Sequence, residues 1–86
     1  MPFAHVIIPQ GALSVRRKQK IVELVTNALI EAEGGSEALR PGVTVLVSEA
    51  ADGGWGIAGR GYTTDELRQR VAKVEAIEAA AKATLP

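Results

Sequence analysis

Near the start of the chain the apolar side chains run almost unbroken: Phe3, Ala4, Val6, Ile7 and Ile8 surround His5, and Pro9 closes the run. So short a run of β-branched and apolar residues predicts a strand over Phe3–Pro9 with both faces covered. Gly11 breaks the pattern, and Ser14 stands where a helix N-cap belongs. From residue 15 to about residue 33 the period changes, with Ile21, Leu24, Val25, Ala28 and Leu29 recurring as one helical face. Gly34 and Gly35 stop that helix, and Pro41 prevents its continuation. The valine-rich "VTVLVSE" predicts a second strand over residues 43–49. "ADGGWGIAGRGY" is too rich in glycine for a helix and reads as a turn and short hairpin. "TTDE" is a capping box, with Thr63 as cap and Glu66 reaching back. Beyond it Leu67, Val71, Val74, Ile77, Ala81 and Leu85 mark one face of a second, alanine-rich helix.

Two apolar strands joined by one long helix make a βαβ unit, with parallel strands and a right-handed crossover. The predicted fold class is therefore α/β (α+β): a βαβ unit, a terminal β-hairpin and an additional C-terminal helix. Residues 1–62 form the core and residues 63–86 an amphipathic helix of the same single domain. Two parallel strands and a hairpin leave edges exposed and one apolar face hard to cover. Oligomerisation is the expected remedy, with sheets completed by strand pairing between subunits.

Composition narrows the function. A chain of 86 residues buries a limited fraction of its surface alone, and with no cysteine it has neither disulfides nor thiolate metal sites to compensate. The single His5 cannot build a metal site within one chain, and no cofactor motif is present. The glycines at 53, 54, 56, 59 and 61 are followed by neither a Lys-Ser/Thr pair nor a helix opening on the loop, so they read as turn glycines, not a phosphate cradle. Ten basic and ten acidic side chains cancel, leaving no overall charge to attract nucleic acid or an anionic membrane. No run approaches the roughly 20 apolar residues of a membrane span, so a cytoplasmic location is expected.

Pro2 is the first candidate for chemistry. Proline is tolerated at the start of a strand, and Pro2 read by itself is a strand starter. Removal of Met1, usual before a small residue, makes it a secondary amine at the chain terminus. An α-amino group has a pKa of roughly 7.7 to 8.0, lowered by burial because desolvation disfavours the charged form. Such an amine suits general-base work near neutral pH. Arg16, Arg17, Lys18 and Lys20 crowd the opening turns of the first helix, where the macrodipole disfavours positive charge. That placement reads either as an anion-binding group from Arg16 or Arg17, or as a solvated basic face. Arg40, before the second strand, and Arg60, in the hairpin, are further candidates, since guanidinium pairs bidentately with a carboxylate. His5 and Glu49 read as structural: one hydrogen-bonded at a sheet or subunit interface, the other capping the hairpin.

"MPFAHVIIPQG", a helix carrying "KQKIVELVTNAL", and "VTVLVSEAADGGWGIAGR" together resemble the tautomerase superfamily, in particular the 4-oxalocrotonate tautomerase-like group, over about residues 2 to 60. The resemblance implies a βαβ fold with a terminal hairpin, subunits that pair, and dimers assembled into hexamers. It implies Pro2 as the general base that moves a proton between oxygen and carbon of an enol and ketone, without a cofactor. Trp55 stands where the family has an aromatic at the pocket wall, though a lone tryptophan also packs a hairpin; Ile57 and Pro9 fall at positions lining the apolar part. The best-known members hold substrate carboxylates with an arginine after the first strand and another in the second strand. Here those positions fall at Ala12 or Leu13, and at Thr44. The expected activity is tautomerisation of a small 2-oxo acid or enol by a homo-oligomer, a hexamer or another multiple of a dimer. Two alternatives stand beside it: hydration or dehalogenation of an unsaturated acid, which lacks an obvious second carboxylate, and a non-catalytic oligomeric binding protein, which the missing arginines favour.

Overall fold

The computed structural model describes residues 2–84; Met1, whose removal the reading of Pro2 requires, and Leu85 and Pro86, at the end of the predicted second helix, lie outside the described residues. The chain forms one compact unit up to Ala50 and a second from Ala51 onward.

In the first unit, β1 (Phe3–Pro9) leads to α1 (Val15–Ala32), a short 3₁₀ helix (Glu37–Gly42) and β2 (Thr44–Ala50). β1 and β2 pair in parallel from Phe3 opposite Thr44 to Pro9 opposite Ala50, as a strand–helix–strand order predicts. The ladder reaches one residue further at each end: the Thr44 amide donates to the Pro2 carbonyl at 3.1 Å, and the Gln10 amide to the Ala50 carbonyl at 2.9 Å.

Ser14 caps α1 as the sequence predicts, its hydroxyl accepting from the Arg17 amide at 3.2 Å. At the other end Gly34 and Gly35 have φ of 115° and 82°. The Gly35 amide reaches back to the Ile30 carbonyl at 2.8 Å and the Gly34 amide to that of Glu31 at 3.2 Å, the bonding of a Schellman motif. The 3₁₀ helix was not predicted; Ser36 caps it, and the Val43 amide closes on the Arg40 carbonyl at 3.2 Å. Val43 is therefore occupied as a cap, and β2 begins one residue later than the sequence suggested.

Two expectations need correction. The covered face of α1 runs through Ile21, Val22, Val25, Thr26, Leu29 and Ile30, while Leu24 and Ala28, placed on the inner face from the sequence, are exposed. Val22 points inward, and a residue two places further on is rotated by about 200°. β1 is also covered on one face only: Phe3, His5 and Ile7 alternate as exposed positions with Ala4, Val6 and Ile8. α1 packs along one side of the sheet, and no element of this unit is left for the other.

In the second unit, β3 (Trp55–Ile57) and β4 (Arg60–Tyr62) form an antiparallel hairpin. Its two loop residues, Ala58 and Gly59, have φ of 52° and 84°, the double positive φ of a type I′ turn. A Cβ at Gly61 would lie 2.5 Å from the Gly53 carbonyl oxygen, so only glycine fits there. The capping box forms in both directions: the Glu66 amide donates to the Thr63 hydroxyl at 3.1 Å, and the Thr63 amide to a Glu66 carboxylate oxygen at 3.2 Å. α2 (Thr64–Thr84) follows. Of its predicted apolar stripe, Leu67 is half-buried and Val71, Val74, Ile77 and Ala81 are exposed. Among the described residues, no helix is long and apolar enough to cross a membrane.

Candidate active site

Pro2 is half-buried at the head of β1. Its carbonyl is held by the Thr44 amide, and its ring fixes φ, so the nitrogen sits on a tethered residue with no ladder bond of its own to make. Pro9, at the far end of the same strand, is also half-buried. The polar pair on the open face of the sheet is His5 and Ser48, with His5 Nε2 2.7 Å from the Ser48 hydroxyl, a partner that suits a structural histidine.

Glu49 gathers three elements. Its carboxylate accepts from Lys18 Nζ at 2.5 Å and from the Gly11 amide at 3.2 Å, tying the end of β2 to the β1–α1 turn and to α1. The Lys18 bond first, and the Gly11 amide second, hold this carboxyl below its ordinary value. Glu49 is therefore a structural carboxylate, as the sequence suggested, with its partners in the first turn and helix instead of the hairpin.

The four candidate arginines fall into two classes. Arg16 and Arg17 line an open groove of about 530 Å³ with Gln19, Lys20 and Glu23, and neither has an ion pair among the described residues. A neighbouring cleft of about 390 Å³ runs from Leu13 past Arg17 and Lys20 to Ile21 and Leu24. Arg40, by contrast, is engaged from both sides of its guanidinium. Nε and one terminal nitrogen grip Glu37 at 2.7 and 3.1 Å, and the other terminal nitrogen donates to Asn27 Oδ1 at 3.1 Å. This fork fastens the 3₁₀ helix to α1 and holds the Glu37 carboxyl below its ordinary value. Arg60 reaches a Glu66 carboxylate oxygen at 2.6 Å while its guanidinium carbon lies 4.5 Å from the centre of the Tyr62 ring.

Trp55 is half-buried and Ile57 is 42% exposed. In the hairpin register Trp55 faces Tyr62 and Ile57 faces Arg60, so the alternation of a strand puts all four side chains on one side and Gly56 and Gly61 on the other. Arg70, which the sequence reading passed over, also reaches this group: its guanidinium carbon is 5.6 Å from the centre of the Tyr62 ring. Its sequence signal was faint, because only the turn from β4 into α2 brings residue 70 back over residue 62.

A family model described as Tautomerase enzyme matches residues 2–65. The 2-hydroxymuconate tautomerase of Comamonas testosteroni is 39% identical over 59 residues, covering 69% of this chain and 87% of that protein. Among solved structures, a 4-oxalocrotonate tautomerase isozyme from Methylibium petroleiphilum is similar with a TM-score of 0.61 and 29% identity over 77% of this chain and 97% of its own. A homologue of 4-oxalocrotonate tautomerase gives a TM-score of 0.60 and 27% identity over 70% of this chain and 92% of its own.

Proposed function

This chain belongs to the tautomerase family, and from that premise we propose that it is a cofactor-independent tautomerase in which Pro2, freed by removal of Met1, is the general base. The observation that carries the reading is the family match itself, which begins at Pro2 and runs through the hairpin. The amine takes the proton from the enol oxygen and returns it to carbon. The O–H bond breaks, a C–H bond forms, and the C=C–O unit becomes C–C=O with no change of oxidation state. Removal of an amine from water disfavours its charged form, which suits the first transfer. Each unit offers its own candidates for the substrate: Pro9 for apolar contact and Arg16 and Arg17 for a carboxylate in the first, and Trp55 and Ile57 for apolar contact in the second.

The substrate is a small 2-oxo acid or its enol. Assembly is the second part of the reading: Phe3, Ile7 and Leu46, 63%, 51% and 47% exposed, line the open face of the sheet, and a homo-oligomer built from dimers, such as a hexamer, would cover it. A non-catalytic binding protein on the same scaffold is the second reading, favoured by Ala12 or Leu13, and Thr44, where well-known members carry two arginines.

The test is ketonisation of phenylenolpyruvate, followed by ultraviolet absorbance, on protein whose intact mass shows Met1 absent. Pro2→Ala should be slower by about a hundredfold or more, the contribution of a positioned base. Equal rates for the two proteins would reject Pro2 as the base.

A further inference from the structure

We propose that Arg60 and Arg70, stacked on Tyr62, form a carboxylate-binding element, which takes a small acid whose unsaturated or aromatic body lies along Trp55 and Ile57. The inference rests on reading Trp55 and Ile57 as the wall of the substrate site. It adds a residue, Arg70, that lies beyond the stretch matched by the family model, residues 2–65.

The geometry has three parts. Both guanidinium carbons lie over one ring, at 4.5 Å for Arg60 and 5.6 Å for Arg70, inside the roughly 6 Å range of a cation–π contact. A stacked guanidinium keeps its N–H edge free, and that edge is what pairs in fork geometry with a carboxylate. Arg60 commits one terminal nitrogen to Glu66, at 2.6 Å. Arg70 has no ion pair among the described residues.

The charge count gives the second argument. Two guanidiniums share one ring, and only Arg60 is paired with a carboxylate, Glu66, which leaves the group with one positive charge in excess. Like charges held near one another are relieved by an anion, and the nearest surface open to its apolar part is the side of the hairpin carrying Trp55 and Ile57. One excess charge suits a monocarboxylate. This supplies a cation to a chain in which Ala12 or Leu13, and Thr44, stand where well-known members carry arginines.

Trp55 is the sole tryptophan, so its fluorescence reports a ligand beside the hairpin whether or not any reaction follows. The probe is 3-phenylpropionate, with 3-phenylpropanol as its uncharged counterpart. The protein should bind the acid about tenfold or more tightly than the alcohol, the scale of a charge-assisted hydrogen bond, and added salt should weaken only the acid. Arg70→Gln should abolish that preference, and Arg70→Lys, which keeps the charge but not the planar fork, should retain part of it. Circular dichroism of each variant confirms the fold. Equal binding of acid and alcohol by the unaltered protein, or an undiminished preference in Arg70→Gln, overturns the proposal. Phenylenolpyruvate kinetics separate it from the catalytic reading. An active enzyme whose KM is untouched by Arg70→Gln rejects the arginine pair alone. A protein that prefers the acid, yet ketonises no faster than Pro2→Ala, keeps the pair and rejects the base.

Discussion

Ile30 and Leu24 lie on the same helix and at opposite extremes of exposure, 4% and 54%, although only Leu24 belonged to the face that the sequence pattern turned inward. Ile30→Ala removes three buried carbons. At roughly 0.8 kcal/mol each, the lost transfer energy is about 2.4 kcal/mol, and the cavity left behind raises it within a usual range of about 2–5 kcal/mol. Leu24→Ala should stay within about 0.5 kcal/mol, as for a surface site. With a urea m-value of about 1 kcal/mol/M for a small domain, the midpoint falls by about 2 M or more for Ile30→Ala and by less than about 0.5 M for Leu24→Ala. The assay is urea unfolding followed by far-ultraviolet circular dichroism, run at two protein concentrations because association would add to apparent stability. A larger loss for Leu24→Ala at both concentrations would refute the orientation of α1. A loss for Leu24→Ala that grows with concentration would instead place Leu24 in a contact between copies. The orientation has functional weight, because the same rotation turns Lys18 to Glu49 and leaves Arg16 and Arg17 facing outward.

Acid should weaken the fold through Glu37, Glu49 and Glu66, each held below its ordinary value of 4.5 chiefly by hydrogen bonds from Arg40, Lys18 and the Thr63 amide, respectively. A carboxyl with a lowered folded pKa contributes stability that is fully present above its unfolded value and lost as pH falls through the folded one. The urea midpoint should therefore be flat above about pH 5 and fall below 4.5, less steeply in Glu49→Gln; an unchanged slope in that variant would refute the role given to Glu49. Thr63→Ala removes the hydroxyl that accepts the Glu66 amide, at a cost of about 1 kcal/mol, so hydrogen exchange of that amide should quicken about fivefold; an unchanged rate would deny the cap its part in holding the first turn of α2.

What the sequence revealed, and what it hid, divides along the range of the interactions. β1 was legible to the residue, and so were the Ser14 cap, the Gly34–Gly35 stop and both halves of the Thr63–Glu66 box, because each is decided within a few positions of chain. The rotation of α1 was not. Ile21, Val22, Leu24, Val25, Ala28, Leu29 and Ile30 are apolar on more than one side, and only the packing of the sheet decides which side turns inward. Nor can a run of β-branched residues say whether a second face is covered within its own chain. Arg40 looked open to a ligand, yet Glu37, three residues before it, and Asn27 already hold its whole guanidinium, whereas Glu66 takes one terminal nitrogen of Arg60 and leaves the rest of its edge. Arg16 and Arg17 stayed open because α1 has no acidic residue in its first turn.

α2 is tied into the hairpin unit by its opening turns. The Thr64 amide donates to Asp52 at 2.8 Å, Glu66 takes Arg60, and Arg70 lies over Tyr62. After Arg70 the helix presents exposed Val71, Val74 and Ile77, with nothing of the described chain to cover them. The helix therefore has two parts with different physics. Its beginning is fixed by capping, an ion pair and a cation–π contact, the last two made by Arg60 and Tyr62 on the side of the hairpin that carries Trp55 and Ile57. Its remainder, exposed at Val71, Val74 and Ile77, leans on backbone bonding and alanine propensity, which do little to stabilise a helix in water without packing. The proposed arginine pair thus draws on the first two turns of α2. The exposed stripe beyond them is free to answer a separate question, whether copies of the chain meet there, without disturbing the arginine pair.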